Sequence, residues 1–318
     1  MVVEAGAGNG RLAREVLRAE PACVRALRYV LVERSAALRA AQREILEITP
    51  PDEAIGPYVR TEDEPAPVSC AGPLFTALDD FPARPFEGVV VANELLDNLP
   101  FGVAEWSGNA WQEIRVGLAE DVADAPTGPA SGAPRPRFVE VAVPAAHEVA
   151  AALGTLTAGL DLRAGARLPV PRGLDEWIAE SGTALGRGFV LLIDYVVDLE
   201  RLLGRGPEGW LRTYRDHSHG GSPLEEPGSQ DITADVVAEQ LGHAARASGL
   251  RVVEDLSQAE WLRGLGIDDL VEEGRRVWEE RAHLGDLAAI AGRSRVHEAA
   301  ALTDPEGLGG HRVVVLRR

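Results

Sequence analysis

Near the N-terminus the chain reads Val2-Val3-Glu4-Ala5-Gly6-Ala7-Gly8-Asn9-Gly10. That is a short apolar strand, an acid at its exit, and a glycine turn opening a helix near Asn9. Backbone N–H groups are free at such a helix start, and glycines let a ligand approach closely. The dinucleotide fingerprint would want glycine or alanine at position 11; Arg11 stands there, and its side chain would crowd the helix–strand contact. A plain connecting turn is the alternative. Residues 27–32 read as a second strand ending at Glu33. An acid so placed can accept hydrogen bonds from both ribose hydroxyls of an adenosine-containing cofactor. It can equally be a helix-start residue favoured by the macrodipole.

A second set of reactive groups follows the apolar strand 88–92: Asn93-Glu94-Leu95-Leu96-Asp97-Asn98-Leu99-Pro100. Polar groups at the carboxyl end of a central strand border the ligand crevice of an open α/β sheet. Glu94 and Asp97 are spaced to share one face of a helical turn. Such a pair could hold a guanidinium by paired hydrogen bonds or take a proton from a nucleophilic nitrogen; it could also only cap a helix. The next strand, 188–195, delivers Asp194 and Tyr195 to the same edge. A long polar loop then carries His217, His219, Gln230 and Asp231. Loops of this kind are more often functional than decorative. Two histidines at i,i+2 with no third ligand nearby do not make a metal site.

Positioning these groups requires alternating strands and helices, hence a doubly covered, mostly parallel sheet. Leu12, Val16 and Leu17 give the first helix its apolar face, and 35–48 is a second amphipathic helix. Residues 49–87 are broken by prolines, with a short strand near Val68 and turn acids at Asp79 and Asp80. A hairpin over 101–106 and 110–116, a strand at 138–143 and helices at 146–156 and 174–185 come next. A helix at 235–247, a strand at 251–256, further helices to about 291 and a closing strand at 312–316 complete the sheet. The expected division is a core from 1–118, a flexible Pro/Gly/Ala-rich insertion at 119–137, and the rest of the core with a substrate-capping lobe over about 197–300.

The 318 residues include 32 basic and 50 acidic ones, a formal charge of −18. All the basic residues are arginine, which reads as the bias of a GC-rich genome. An acidic surface disfavours nucleic acid and anionic membranes as partners and is compatible with a basic protein or peptide substrate. Cys23 and Cys70 have neither metal-ligand nor disulfide spacing. The apolar run 189–193 stops at Asp194, far short of a membrane span. With no basic leader or cleavage site, the chain reads as cytoplasmic.

Glu4-Ala5-Gly6-Ala7-Gly8-Asn9-Gly10 looks like the first motif of Rossmann-like S-adenosylmethionine (SAM) methyltransferases. Together with 92–100, Leu192-Ile193-Asp194-Tyr195, Tyr214-Arg215-Asp216-His217, 228–234 and Gln258-Ala259-Glu260-Trp261-Leu262, it resembles the MidA-like methyltransferase family. That family contains a mitochondrial complex I assembly factor that methylates a protein arginine. The resemblance implies a Rossmann-like methyltransferase core with an inserted or appended capping lobe. It implies that Glu4, Gly6, Gly8 and Gly10 bind the methionine end of SAM and that Glu33 binds its ribose. Asn93 and Glu94 would face the methyl, with Asp97 beside them. Asp194, Tyr195, His217, Gln230 and Asp231 would form the substrate side. Three departures stand out: the family's upstream segment is not present before the first strand, Val196 replaces a glycine, and Asp235 replaces a histidine. A SAM-binding assembly factor without turnover and a small-molecule methyltransferase are the competing expectations.

Overall fold

The computed structural model describes residues 1–56, 72–119, 137–206, 209–215 and 218–318. The chain opens with β1 (Val2–Ala5), α1 (Arg11–Arg18), β2 (Arg28–Val32), α2 (Ala36–Ile45), α3 (Pro51–Ile55), β3 (Leu74–Leu78) and β4 (Phe86–Asn93). It continues through β5 (Gly102–Trp106), β6 (Trp111–Leu118), β7 (Phe138–Pro144), α4 (His147–Leu156), β8 (Arg167–Val170), α5 (Arg172–Ala184) and β9 (Leu185–Asp194). Then come β10 (Val196–Val197), α6 (Leu199–Gly204), β11 (Leu211–Arg215), β12 (Ser218–His219), β13 (Asp231–Ala234), β14 (Val236–Val237) and α7 (Ala238–Ala247). The last elements are β15 (Arg251–Ser257), α8 (Gln258–Gly264), α9 (Ile267–Arg281), α10 (Leu287–Thr303) and β16 (Arg312–Arg317).

Two compact units emerge. The first comprises Met1–Leu95, Ile178–Tyr195 and Ala245–Arg318; the second comprises Leu96–Trp177 and Val196–Ala244. In the first unit a seven-stranded sheet runs in the order β15-β16-β9-β4-β1-β2-β3. β1, β2, β3, β4 and β9 are parallel neighbours, while β16 lies antiparallel to both β9 and β15. From β1 the chain winds outward to β2 and β3 on one side and to β4 and β9 on the other. The order therefore reverses between β1 and β4, the place where such sheets open a crevice at their carboxyl ends. Val3, Val30, Leu31, Val90, Val190 and Leu192 are wholly buried, because strands covered on both faces tolerate only continuous apolar runs. α1 turns Ala13 into the core and leaves Leu12 exposed, so its buried stripe is Ala13, Val16 and Leu17.

The second unit has a four-stranded antiparallel sheet β7-β6-β5-β8, a three-stranded sheet β12-β11-β13 and a parallel pair β10–β14. Trp111, Leu168, Leu202 and Trp210 are among the residues of its core. The strand expected near Val68 and most of the 119–137 insertion lie outside the described residues, as do Cys70 and His217. No helix among the described residues is long and apolar enough to cross a membrane.

Candidate active site

The glycine turn is built by backbone bonds from the end of β2. Gly6 and Ala7 N–H both donate to the Val32 carbonyl, at 2.9 and 3.1 Å. Gly6, Gly8 and Gly10 all have positive φ, at 70°, 55° and 83°. Gly10 must be glycine for two reasons: the left-handed backbone that caps α1, and the 3.1–3.3 Å at which a Cβ would meet Leu46, Leu31 and Gln42. Beside Gly8 a Cβ would meet nothing within 4 Å, so its left-handed turn borders open space.

Both backbone polar groups of Gly8 are held. Its N–H donates to Glu33 Oε2 at 2.9 Å, and its carbonyl accepts from Gln42 Nε2 at 2.8 Å. Glu33 Oε1 takes the Ser35 N–H at 2.8 Å. The carboxylate is thus fixed by two backbone amides while keeping further lone pairs for a ligand. Gln42, which braces the turn from α2, is a residue that the sequence reading missed. It is the buried residue of α2 and lies on the Leu38–Ile45 stripe; a polar side chain on an apolar stripe was the available signal.

Glu4 sits lower in the same unit. Its carboxylate is buried and accepts the Tyr29 hydroxyl at 2.8 Å. Burial pushes its pKa up to about 7, and the Tyr29 hydrogen bond pulls the other way. Tyr29 itself is pushed up by burial and by the neighbouring carboxylate. In the unfolded chain Glu4 titrates near 4.5, so the fold holds this proton more tightly than the unfolded state does. The resulting stability is complete below about pH 4.5 and is lost as the pH rises through about 7. A shift of that size corresponds to about 3 kcal/mol. Urea unfolding of Glu4→Gln is expected to lose less stability than the parent between about pH 5 and pH 8; parallel curves would refute the raised pKa.

The second set of groups gathers at the carboxyl ends of β4 and β9. Asn93 and Glu94 are exposed, and Asn93 Nδ2 lies 3.4 Å from Glu94 Oε1. Glu94 has φ +49°, a left-handed backbone, and its N–H donates to the Ile193 carbonyl at 2.8 Å. A non-glycine residue held there stores strain, which clusters at functional sites. Glycine carries no such penalty, so Glu94→Gly is expected to raise stability by about 1 kcal/mol. A urea midpoint at or below the parent's would show that the backbone is relaxed.

The left-handed turn also corrects the helical pairing of Glu94 with Asp97. The helical turn begins at Leu96, as a short 3₁₀ segment Leu96–Asn98, and Glu94 lies outside it. Asp97 is buried and accepts from Asn98 Nδ2 at 2.7 Å. Asp194 is likewise fully buried: Oδ2 takes the Leu95 N–H at 3.1 Å and Oδ1 the Tyr195 N–H at 2.8 Å. It joins the ends of two neighbouring strands. Tyr195 packs on buried His311, with ring centroids 4.2 Å apart. His311 immediately precedes β16, and no motif in the sequence pointed to it.

Gln230 and Asp231 belong to the second unit. Gln230 ties its own loop, accepting from Gly221 N–H at 3.2 Å and donating to the Ser222 carbonyl at 2.7 Å. Asp231 is exposed at the start of β13. Asp235 is buried and bridged by Arg205 and Arg212, the latter at 2.6 Å, so two cations compensate the acid that stands in the histidine position. Among the described residues no three His, Cys, Asp or Glu side chains converge as a metal site.

A family model for S-adenosyl-L-methionine-dependent methyltransferases matches residues 1–255. The chain belongs to this methyltransferase family. The family's cofactor is SAM, and the glycine turn, with open space at Gly8 and a fixed carboxylate at Glu33, fits an adenosine-containing group. A crystal structure of a Burkholderia thailandensis protein bound to S-adenosyl-homocysteine is similar over the whole chain, with 29% identity, a TM-score of 0.74 and 71% of that protein covered. A second crystal structure from that organism, of a native protein, gives 28% identity and a TM-score of 0.73, with 100% of this chain and 73% of that one covered. The Caenorhabditis elegans protein arginine methyltransferase NDUFAF7 homolog, mitochondrial, is 28% identical over 295 residues, or 88% of this chain. The chain spans 61% of that relative's length.

Proposed function

We propose that this member of the methyltransferase family transfers the methyl group of SAM to a protein side chain, namely an arginine nitrogen. Glu94 carries the reading: an exposed carboxylate on a left-handed backbone at the end of a central strand, with the Asn93 amide beside it. The name of the Caenorhabditis elegans relative supports the acceptor, and the net charge of −18 suits a basic substrate. Glu4, Gly6, Gly8 and Gly10 would hold the methionine end, Glu33 the ribose, and Asn93 the edge facing the methyl. Tyr195, Asp231 and His217 are the substrate-side residues of this reading, with His217 outside the described residues. Asp97 is the remaining catalytic candidate of this reading, and Asp194 and Gln230 are its further substrate-side candidates.

When bound, the cofactor supplies a methyl group already activated by its sulfonium. What remains for the chain is to hold the acceptor nitrogen in line and to exclude water. An arginine guanidinium arrives protonated. Glu94 accepts one of its N–H groups, aligns the nitrogen and draws off the proton as positive charge develops.

The test is titration with SAM and S-adenosyl-homocysteine, followed by transfer of labelled methyl into lysate proteins. Label on arginine is the expected result. Tight cofactor binding without transfer would instead identify an assembly factor without turnover, and label confined to small molecules would identify a small-molecule methyltransferase.

A further inference from the structure

The second unit carries a groove of about 460 Å³ bordered by Glu140, Arg167, Trp210, Arg212, His219 and Gly220. Its size is that of small-ligand sites. Trp210 is completely buried at its floor and packs edge-on against Phe101, with centroids 5.8 Å apart. The Trp210 indole N–H has no hydrogen-bond partner among the described residues. Buried donors are rarely left so, because each unpaired one is destabilising. Phenylalanine would fill the same core without that penalty, so the indole calls for an acceptor.

The walls are rich in donors. Arg167 directs Nε to Glu105 at 2.7 Å, and Nη1 and Nη2 to Glu140 at 3.0 and 2.6 Å. A guanidinium has five N–H groups, so two remain. Arg212 is anchored by Asp235 at 2.6 Å. The carboxylates of this region are thus already engaged by arginines, and the guanidinia are held in fixed positions.

We propose that the groove binds a carboxylate, one oxygen accepting the Trp210 N–H and the other one of the remaining Arg167 N–H groups. The Gly220-Gly221 rim would yield to let the ligand reach the floor. The ligand is a small free acid or an acidic side chain of a polypeptide; both present the same group. The negative charge of the chain as a whole repels such a ligand only weakly, because salt screens charges beyond about 10 Å. This site stands whether or not the chain transfers methyl groups.

The experiment is calorimetric titration of the full chain with succinate, with Ac-Gly-Glu-Gly-NH2 and with Ac-Gly-Gln-Gly-NH2. At least one acid is expected to saturate the site, and the glutamine peptide is not. Succinate binding more tightly than the peptide identifies a free acid as the ligand; the reverse identifies a polypeptide side chain. Trp210→Phe is expected to weaken acid binding about tenfold, with a thermal midpoint equal to or above the parent's. That combination separates a ligand contact from a structural one. Trp106→Phe, a tryptophan that does not border this groove, is expected to leave the affinity unchanged. The proposal is overturned if neither acid saturates in the millimolar range, if the glutamine peptide binds equally, or if Trp210→Phe retains full affinity.

Discussion

Glu94→Gln is expected to lower the methyl-transfer rate by about 10² to 10⁴-fold while leaving cofactor affinity nearly unchanged. The substitution keeps the size of the side chain and the left-handed backbone that presents it, and removes only the charge and the basicity. A residue that bound the cofactor would instead lose affinity along with rate. Single-turnover kinetics with labelled SAM, beside a binding isotherm for S-adenosyl-homocysteine, would read both quantities. Comparison with Glu94→Gly sharpens the result, since that variant also relaxes the backbone. If the carboxylate matters, both variants lose the rate; if only the backbone matters, the glutamine variant retains it. An unchanged rate for Glu94→Gln removes Glu94 from the mechanism.

The second large effect is expected at Glu33. Glu33→Ala deletes the acceptor proposed for the ribose hydroxyls and also releases the Gly8 amide, held at 2.9 Å. Charge-assisted hydrogen bonds contribute about 1.5–3 kcal/mol each, so cofactor affinity should fall about 10²-fold or more. Glu33→Gln retains one acceptor oxygen and should fall between the alanine variant and the parent. Gln42→Leu leaves the ribose acceptor intact and removes only the brace on the Gly8 carbonyl, so its loss should be smaller than that of Glu33→Ala. Equal affinity in Glu33→Ala and the parent would place the ribose elsewhere.

The parts of the fold that the sequence disclosed are those governed by local pattern. β1, β2, β4 and β9 are apolar runs ending in a polar group, and a strand buried on both faces has to look like that. β3 was missed because Leu74–Leu78 lies in a proline-broken stretch, and five residues carry little periodicity of their own. Glu94 was found as a residue but given the wrong geometry: spacing by three suggested a helical face, and the left-handed φ of +49° removed it. Gln42 and His311 were missed for another reason. Gln42 meets Gly8 across 34 positions, and His311 meets Tyr195 only because β16 inserts beside β9. Contacts between residues distant in sequence are created by topology; a local pattern can flag a polar residue on an apolar stripe, as at Gln42, but does not reveal its partner. Asp235 carries the same lesson, since its pairing with Arg205 and Arg212 turns an apparent departure into a satisfied buried charge.

The position of β16 has a consequence for synthesis. The strand lies between β9 and β15, yet it is made from residues 312–317, long after β9 has left the ribosome. Until those residues emerge, β9 keeps a bare edge of unpaired peptide groups and β15 has no partner in the sheet. The nascent chain therefore carries an open, apolar strand through the translation of more than a hundred residues. Edges of that kind invite pairing with other chains. Slowing translation between β9 and codon 312 should lengthen that interval and increase aggregation, whereas the same delay placed before codon 185, with β9 not yet made, should have much less effect.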